Sequence, residues 1–192
     1  LVSRVLESSL ESAASDDEVL AQIVFILVAG YTTSADQLCI GLLHLLEHPA
    51  QHAALKDDPA LVNLAVEEML RFDAAGSLSH RVLTEDVTIE GVTMKAGDLV
   101  YLIRASANRD PAMFPDADKV VIDRKENRHA AFGLGIHRCV GSNLARMEMT
   151  VAIEEWLKRI PHFRLDPAGK VTWSEGTVRG PRQLPILFGS AN

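Results

Sequence analysis

Apolar residues crowd the first quarter of the chain. From Ser15 to Glu47 they recur at helical spacing, and over Ile23 to Gly30 (IVFILVAG) they occupy nearly every position. Ser15-Asp16-Asp17-Glu18 is a capping box, a serine with a glutamate three residues on, and it predicts where this helix starts. His48-Pro49 predicts its stop. A helix that is apolar nearly all round in its middle is expected to run through the centre of a core rather than along a surface.

Further elements follow. Asp58-Pro59 predicts a second helix, with the aspartate as N-cap and the proline in the first turn, running to about Phe72. Val87 to Ile89 and Val92 to Met94 flank Glu90-Gly91 and read as strands, and Lys95-Ala96-Gly97-Asp98 turns the chain into Leu99 to Ile103. Asn108 to Gly135 is irregular, rich in turn residues and charge. A third long helix is expected from near Cys139 to just before Pro161. Its apolar positions are Leu144, Val151, Ala152, Trp156 and Ile160. In the tail, Leu184 to Phe188 (LPILF) is the clearest strand. There is no internal repeat. The fold class is mainly α with small β-sheets.

Composition narrows the function classes. With 47% hydrophobic and 23% charged residues, the chain has the make-up of a soluble globular protein. A net charge of -7 argues against a general nucleic-acid surface. The run Ile23 to Gly30 is about half of what spans a bilayer, so no membrane partner is expected. The N-terminus lacks the pattern of a signal peptide and starts at Leu1 inside a helical pattern, which reads as a segment of a longer chain. Two distant cysteines make neither a disulfide framework nor a zinc site, and a reduced, cytoplasmic setting suits them.

One of those cysteines stands in AFGLGIHRCVG, Ala131 to Gly141. Gly133, Gly135 and Gly141 let the backbone turn tightly and approach another group. Cys139 falls at the predicted start of a helix, where the dipole and free N–H groups stabilise a thiolate, and His137 and Arg138 add donors. Such a thiolate is a nucleophile or a metal ligand; a small buried cysteine is the plain alternative. A protease reading lacks a base and an orienting partner. Cys39, within the apolar helix, reads as a core residue. Tyr31 and His44 read as core or surface helix residues rather than ligands, and Trp156 and Trp173 as packing residues.

The pattern Phe132-x-x-Gly135-x-His137-x-Cys139-x-Gly141 resembles the haem-binding signature of the cytochrome P-450 family, the haem-thiolate monooxygenases. Glu68-Met69-Leu70-Arg71 resembles the family's E-x-x-R, and Ala29-Gly30-Tyr31-Thr32-Thr33-Ser34 its A-G-x-acid-T segment. His80 to Asp86 and Ala107 to Asp118 are similar to family text as well. All occur in the family's order over nearly the whole chain. The resemblance is to the soluble bacterial branch, C-terminal half, and implies that residues 1–192 are the haem-binding part of a single domain whose N-terminal half is absent here.

What the resemblance implies, residue by residue, is as follows. Cys139 ligates the iron of haem b. Arg81 and His137 hold propionates, and Phe132, Gly133 and Gly141 border the thiolate side. Ala29 and Gly30 lie along the cofactor. Glu68, Arg71 and Arg124 form a structural network. Thr33, with Thr32 and Ser34, serves proton delivery during oxygen activation, and Ala75, Gly76, Ser77 and Leu78 line the substrate.

This chain departs from the pattern at three places. Thr32 stands where the family has an acid. Val120 stands where relatives show an aromatic. Asp73 to Ser77 lacks the usual proline, which implies a roomier or more mobile pocket. The implied reaction places one atom of O2 into a small apolar organic substrate. Its electrons come from a ferredoxin and a ferredoxin reductase on separate chains. The rival readings are a haem-binding fragment without turnover and a peroxide-driven haem-thiolate enzyme.

Overall fold

The computed structural model describes residues 3, 4, 6–8 and 14–189. The expectation that the chain opens inside a helix therefore falls largely outside the described residues. Helix α1 (Asp16–Glu47) starts at the predicted box: Ser15 Oγ accepts from Glu18 N at 3.4 Å and Glu18 Oε2 accepts from Ser15 N at 2.9 Å. Pro49 ends α1 but also starts a helix the sequence reading did not anticipate, α2 (Pro49–Asp57). A proline at the first helical position forfeits no hydrogen bond, so it stops one helix and opens the next. Asp58 then accepts from Ala60 N, one 3-10 turn spans Pro59–Leu61, and α3 (Val62–Phe72) follows. The last helices are the single turn α4 (Arg104–Ala107) and α5 (Ser142–Arg159).

The strands form four separate antiparallel pairs. Strand β1 (Leu78–Val82) pairs with β4 (Leu99–Ile103), and β2 (Val87–Ile89) with β3 (Val92–Met94). Between β2 and β3, Glu90 and Gly91 both take positive φ, 49° and 79°, the twist a two-residue hairpin requires. Strand β5 (Phe163–Leu165) pairs with β8 (Ile186–Phe188), inside the predicted tail strand, and β6 (Thr172–Trp173) with β7 (Pro181–Gln183).

The core lies where the second half of α1 meets α3 and α5. Leu45, Val66, Met69, Leu70, Met149 and Ile153 pack there with Val120 and Ile122 from the irregular stretch. At Gly41 a β-carbon would meet Met69 Sδ at 2.8 Å, so the absent side chain lets α3 approach α1.

The first half of α1 departs from expectation. Its buried residues begin only at Gln37, and Phe25, Leu27, Val28 and Tyr31 are exposed. No described element covers them, so the helix is central to the core in its second half alone. By length and composition α1 could cross a bilayer. Its burial of Gln37 and His44 among core residues instead marks that half as a core helix of a globular fold.

Candidate functional site

The cysteine loop is shaped by its own backbone. Gly133 and Gly135 take φ of 70° and 68°, the left-handed region that strains any residue with a β-carbon. Gly133 N donates to Ala130 O at 2.9 Å, and Cys139 N donates to Phe132 O at 2.8 Å, which closes the loop under the cysteine. The helix starts slightly later than expected. Its N-cap is Gly141, two residues beyond Cys139, and no side chain caps it. The free N–H groups of that first turn leave partial positive charge beside the thiol. Cys139 is exposed, and so are Leu134, Ile136 and Val140, the last two almost completely. An exposed thiol with exposed apolar side chains within five residues of it suits a flat apolar group. His137, in a 3-10 turn over Gly135–His137, and Arg138 are exposed at its rim.

Phe132, behind the cysteine, is half-buried. The Arg146 guanidinium stands 4.6 Å from its ring centroid. Arg146 is itself held by Glu67 through a forked pair, Nε to Oε1 and Nη2 to Oε2 at 2.9 Å. His129 Nε2 donates to the same carboxylate at 3.0 Å, while its Nδ1 accepts from Ala131 N. Burial alone would raise the Glu67 pKa, but the hydrogen bonds and charges of His129 and Arg146 outweigh it and hold the carboxyl at about 2. The sequence reading missed this cluster. Its members lie on α3, the irregular stretch and α5, and no local pattern joins them.

Glu68, Arg71 and Arg124 come together. Arg71 Nε and Nη2 fork onto the Glu68 carboxylate at 2.8 Å each, and both side chains are fully buried. The remaining Arg71 donors go to the carbonyls of Asn108, Ala117 and Lys119 at 2.8 to 2.9 Å, so all five are used. Arg124 Nε reaches Glu68 Oε2 at 3.0 Å, and Asn127 Nδ2 reaches it at 3.1 Å. Val120, which stands where relatives show an aromatic, is buried in the core cluster. Asn108 stands at the start of the irregular stretch and within the segment similar to family text. It is buried, and its side chain accepts from Ala130 N at 2.7 Å, tying the cysteine loop to this network.

The α1 residues lie on the open half of the helix. Thr33 Oγ1 donates to Ala29 O at 2.6 Å, Thr32 Oγ1 to Val28 O at 3.3 Å, and Ser34 Oγ to Glu148 Oε2 at 2.9 Å. Ala29 and Gly30 are exposed, and a β-carbon at Gly30 would meet nothing within 4 Å.

Arg81, on β1, is exposed and donates to His80 O at 2.7 Å. Burial, with the Arg81 charge nearby, pushes the Arg104 pKa down. Arg104 donates to the carbonyls of Gly76 and Leu78, a role the sequence did not signal. The segment from Ala75 to Leu78 is therefore strapped rather than loose. Gln37 Oε1 accepts from Ala75 N, Arg179 N donates to Ala75 O, and Gly76 bridges to Val178. Ala75 itself is buried, whereas Gly76, Ser77 and Leu78 are half-buried. A hollow of about 260 Å³ lined by His52, Lys56, His162 and Phe163 includes none of these residues.

Residues 2–177 match the family described as Cytochrome P-450. The chain belongs to the cytochrome P-450 family. It is 40% identical over 193 residues to mycinamicin IV hydroxylase/epoxidase of Micromonospora griseorubida, across 98% of this chain and 49% of that protein. It is 45% identical to cytochrome P-450 105C1 of a Streptomyces species, across 91% of this chain and 47% of that one. Among solved structures, the cytochrome P-450 enzyme CxnD for C-S bond formation in chuangxinmycin biosynthesis superposes with a TM-score of 0.89 at 34% identity, over 95% of this chain and 46% of that one. The chain spans about half the length of the relatives it matches. It has the architecture of the C-terminal portion of the cytochrome P-450 fold, helical with small sheets.

Proposed function

We propose that the whole protein carrying this chain is a haem-thiolate monooxygenase acting on a small apolar organic molecule, working in the cytoplasm with a separate ferredoxin and ferredoxin reductase. The observation that carries the reading is the exposed Cys139 thiol, two residues ahead of the Gly141 N-cap of α5 and in one loop with the exposed Leu134, Ile136 and Val140. That donor set suits haem b: a thiolate for the iron, apolar side chains for the ring, and cationic groups for the propionates. Bound haem supplies reductive activation of O2, with one oxygen atom entering the substrate and the other leaving as water.

The chain's own residues have separable tasks. Cys139 is the ligand, and the first turn of α5 steadies its negative charge. Phe132 packs beside the thiolate and shields it, which tunes the potential of a thiolate site, while Gly133 and Gly141 let the loop backbone border the haem. Arg81 and His137 hold the carboxylates by charge-assisted hydrogen bonds. Thr33 is the hydroxyl that passes protons. Thr32 has a hydroxyl where an acid is usual and cannot hold a titratable proton near neutral pH. The proton therefore passes through Thr33, Ser34 and ordered water. Gly76, Ser77 and Leu78 border the substrate, and Ala75 anchors them from behind.

The test uses the reduced full-length protein under carbon monoxide. A strongly red-shifted Soret band, lost in Cys139→Ser and kept in Cys39→Ser, is expected. Cys39 is half-buried, and burial, with Asp36 beside it, pushes its thiol pKa up, so it is the poorer ligand. A band that survives Cys139→Ser and disappears in Cys39→Ser would overturn the assignment.

A further inference from the structure

The last turn of α1 reads His44-Leu45-Leu46-Glu47-His48. Residues three and four apart share one helix face, so both imidazoles and the carboxylate point to the same side. One ligand atom from each of the three lies within 4.8 Å of the others. We propose that His44, Glu47 and His48 bind one divalent transition-metal ion of the zinc class, with Asp73 orienting His44.

His44 supplies the strongest reason. It is 6% exposed, and neither of its ring nitrogens has a hydrogen-bond partner among the described residues. Burying two unsatisfied polar atoms on one ring is costly and calls for a partner. Nδ1 faces Glu47 Oε2 at 3.6 Å. Two ligand atoms, each about 2.1 Å from one tetrahedral ion, stand about 3.4 Å apart. The gap is too long for a hydrogen bond and right for a shared metal. Nε2 faces Asp73 Oδ2 at 3.7 Å. Closing that gap to hydrogen-bond distance when a metal binds would let the carboxylate fix the tautomer of His44 and strengthen it as a ligand. Asp73 is in turn positioned by Arg179 Nη1 at 3.5 Å, and the Phe72 ring meets the His44 ring edge-on at 5.0 Å.

His48 has the complementary arrangement. Its Nδ1 lies 2.9 Å from His44 O, so Nδ1–H donates to that carbonyl and Nε2 keeps a lone pair for a metal. The Glu47 side chain is 49% exposed, so an ion has a path in and water has room for the fourth position. Two imidazoles and one carboxylate favour zinc, copper or nickel over magnesium and calcium, which prefer all-oxygen sites. An ion here would tie the end of α1 to Asp73, whose carbonyl already accepts from Gln37 Nε2 at 3.0 Å, and so to the strapped segment that follows. The rival is a metal-free arrangement in which His44 sits between the Glu47 and Asp73 carboxylates.

The proposal is independent of the oxygenase reading. It is tested on the haem-loaded full-length protein, stripped with chelator and dialysed against micromolar zinc. About one zinc per chain is expected. His44→Ala and His48→Ala should each lose it, and Asp73→Asn should weaken binding by about 10- to 100-fold. His52→Ala with His162→Ala, at the hollow elsewhere, should leave it in place. Zinc-edge X-ray absorption of the wild type needs no variant to fold and should give imidazole nitrogen and oxygen ligands without sulfur. No zinc retained by the wild type, retention unchanged in the His44→Ala/His48→Ala double variant, or a sulfur ligand would overturn the site.

Discussion

The Arg146 guanidinium stands over the Phe132 ring, 4.6 Å from its centroid, seven residues beyond Cys139, whose N–H donates to the Phe132 carbonyl. An arginine over an aromatic face gains from the ring quadrupole and fixes the ring's position. Glu67 holds that arginine from α3. The wall behind the thiol thus rests on an ion pair, and that gives it a pH dependence.

Glu67 has its carboxyl pKa lowered from 4.5 to about 2; burial acts to raise it, and the partners His129 and Arg146 win. A group with a depressed folded pKa adds stability above its unfolded pKa and loses it as pH falls toward the folded one. The gap in urea midpoint between wild type and Glu67→Gln should be full above pH ~5 and close progressively down to pH ~2. A gap independent of pH would show that the carboxylate charge contributes nothing.

Glu68 and Arg71 are both fully buried and use each other's hydrogen-bonding capacity. Removing Glu68 leaves Arg71 charged and without a counter-ion inside the core, and removing Arg71 leaves Glu68 with Arg124 as its one remaining counter-ion among the described residues; breaking a buried pair costs about 3–5 kcal/mol. Glu68→Ala and Arg71→Ala should therefore lower chemical-denaturation midpoints and haem content, with product selectivity of the surviving enzyme unchanged. Wild-type haem content with altered selectivity would contradict a structural role.

At rest, Thr33 and Thr32 donate to the carbonyls of their own helix, so each hydroxyl oxygen can still accept from water or substrate. Thr33→Ala should increase the fraction of consumed oxygen released as peroxide. Thr32→Asp should change that fraction or speed proton delivery. Coupling of oxygen use to product decides, and unchanged coupling in Thr33→Ala would remove Thr33 from the relay.

Six basic residues surround the cysteine loop in sequence, but the structure commits three of them. Lys119 pairs with Asp116, Arg124 with Glu68, and Arg146 with Glu67. Lys125, Arg128 and Arg138 are exposed and form no ion pair among the described residues. An acidic ferredoxin docking on this side should deliver electrons more slowly after charge reversal at Lys125 or Arg128, and at higher salt. Rates insensitive to both would exclude this face.

Sequence alone determined the features made by near neighbours. The Ser15–Glu18 box, the β2–β3 hairpin, the Glu68–Arg71 pair at i and i+3, and the glycines around Cys139 each depend on a few adjacent residues. Tertiary structure decided what distant segments share. Arg124 joins Glu68 across 56 residues, a pair that only the family resemblance implied, and Arg146 joins Glu67 across 79, which nothing in the sequence signalled. No spacing rule encodes such pairs, because packing of α3 against α5 and the irregular stretch creates them. The same holds for burial. Apolar pattern made α1 a helix along its whole length, but a side chain is buried only where another element covers it, and that happens from Gln37 onward. His44 illustrates the difference. In sequence it is one histidine on an apolar helix, and only the fold sets its unpartnered ring between Glu47 and Asp73.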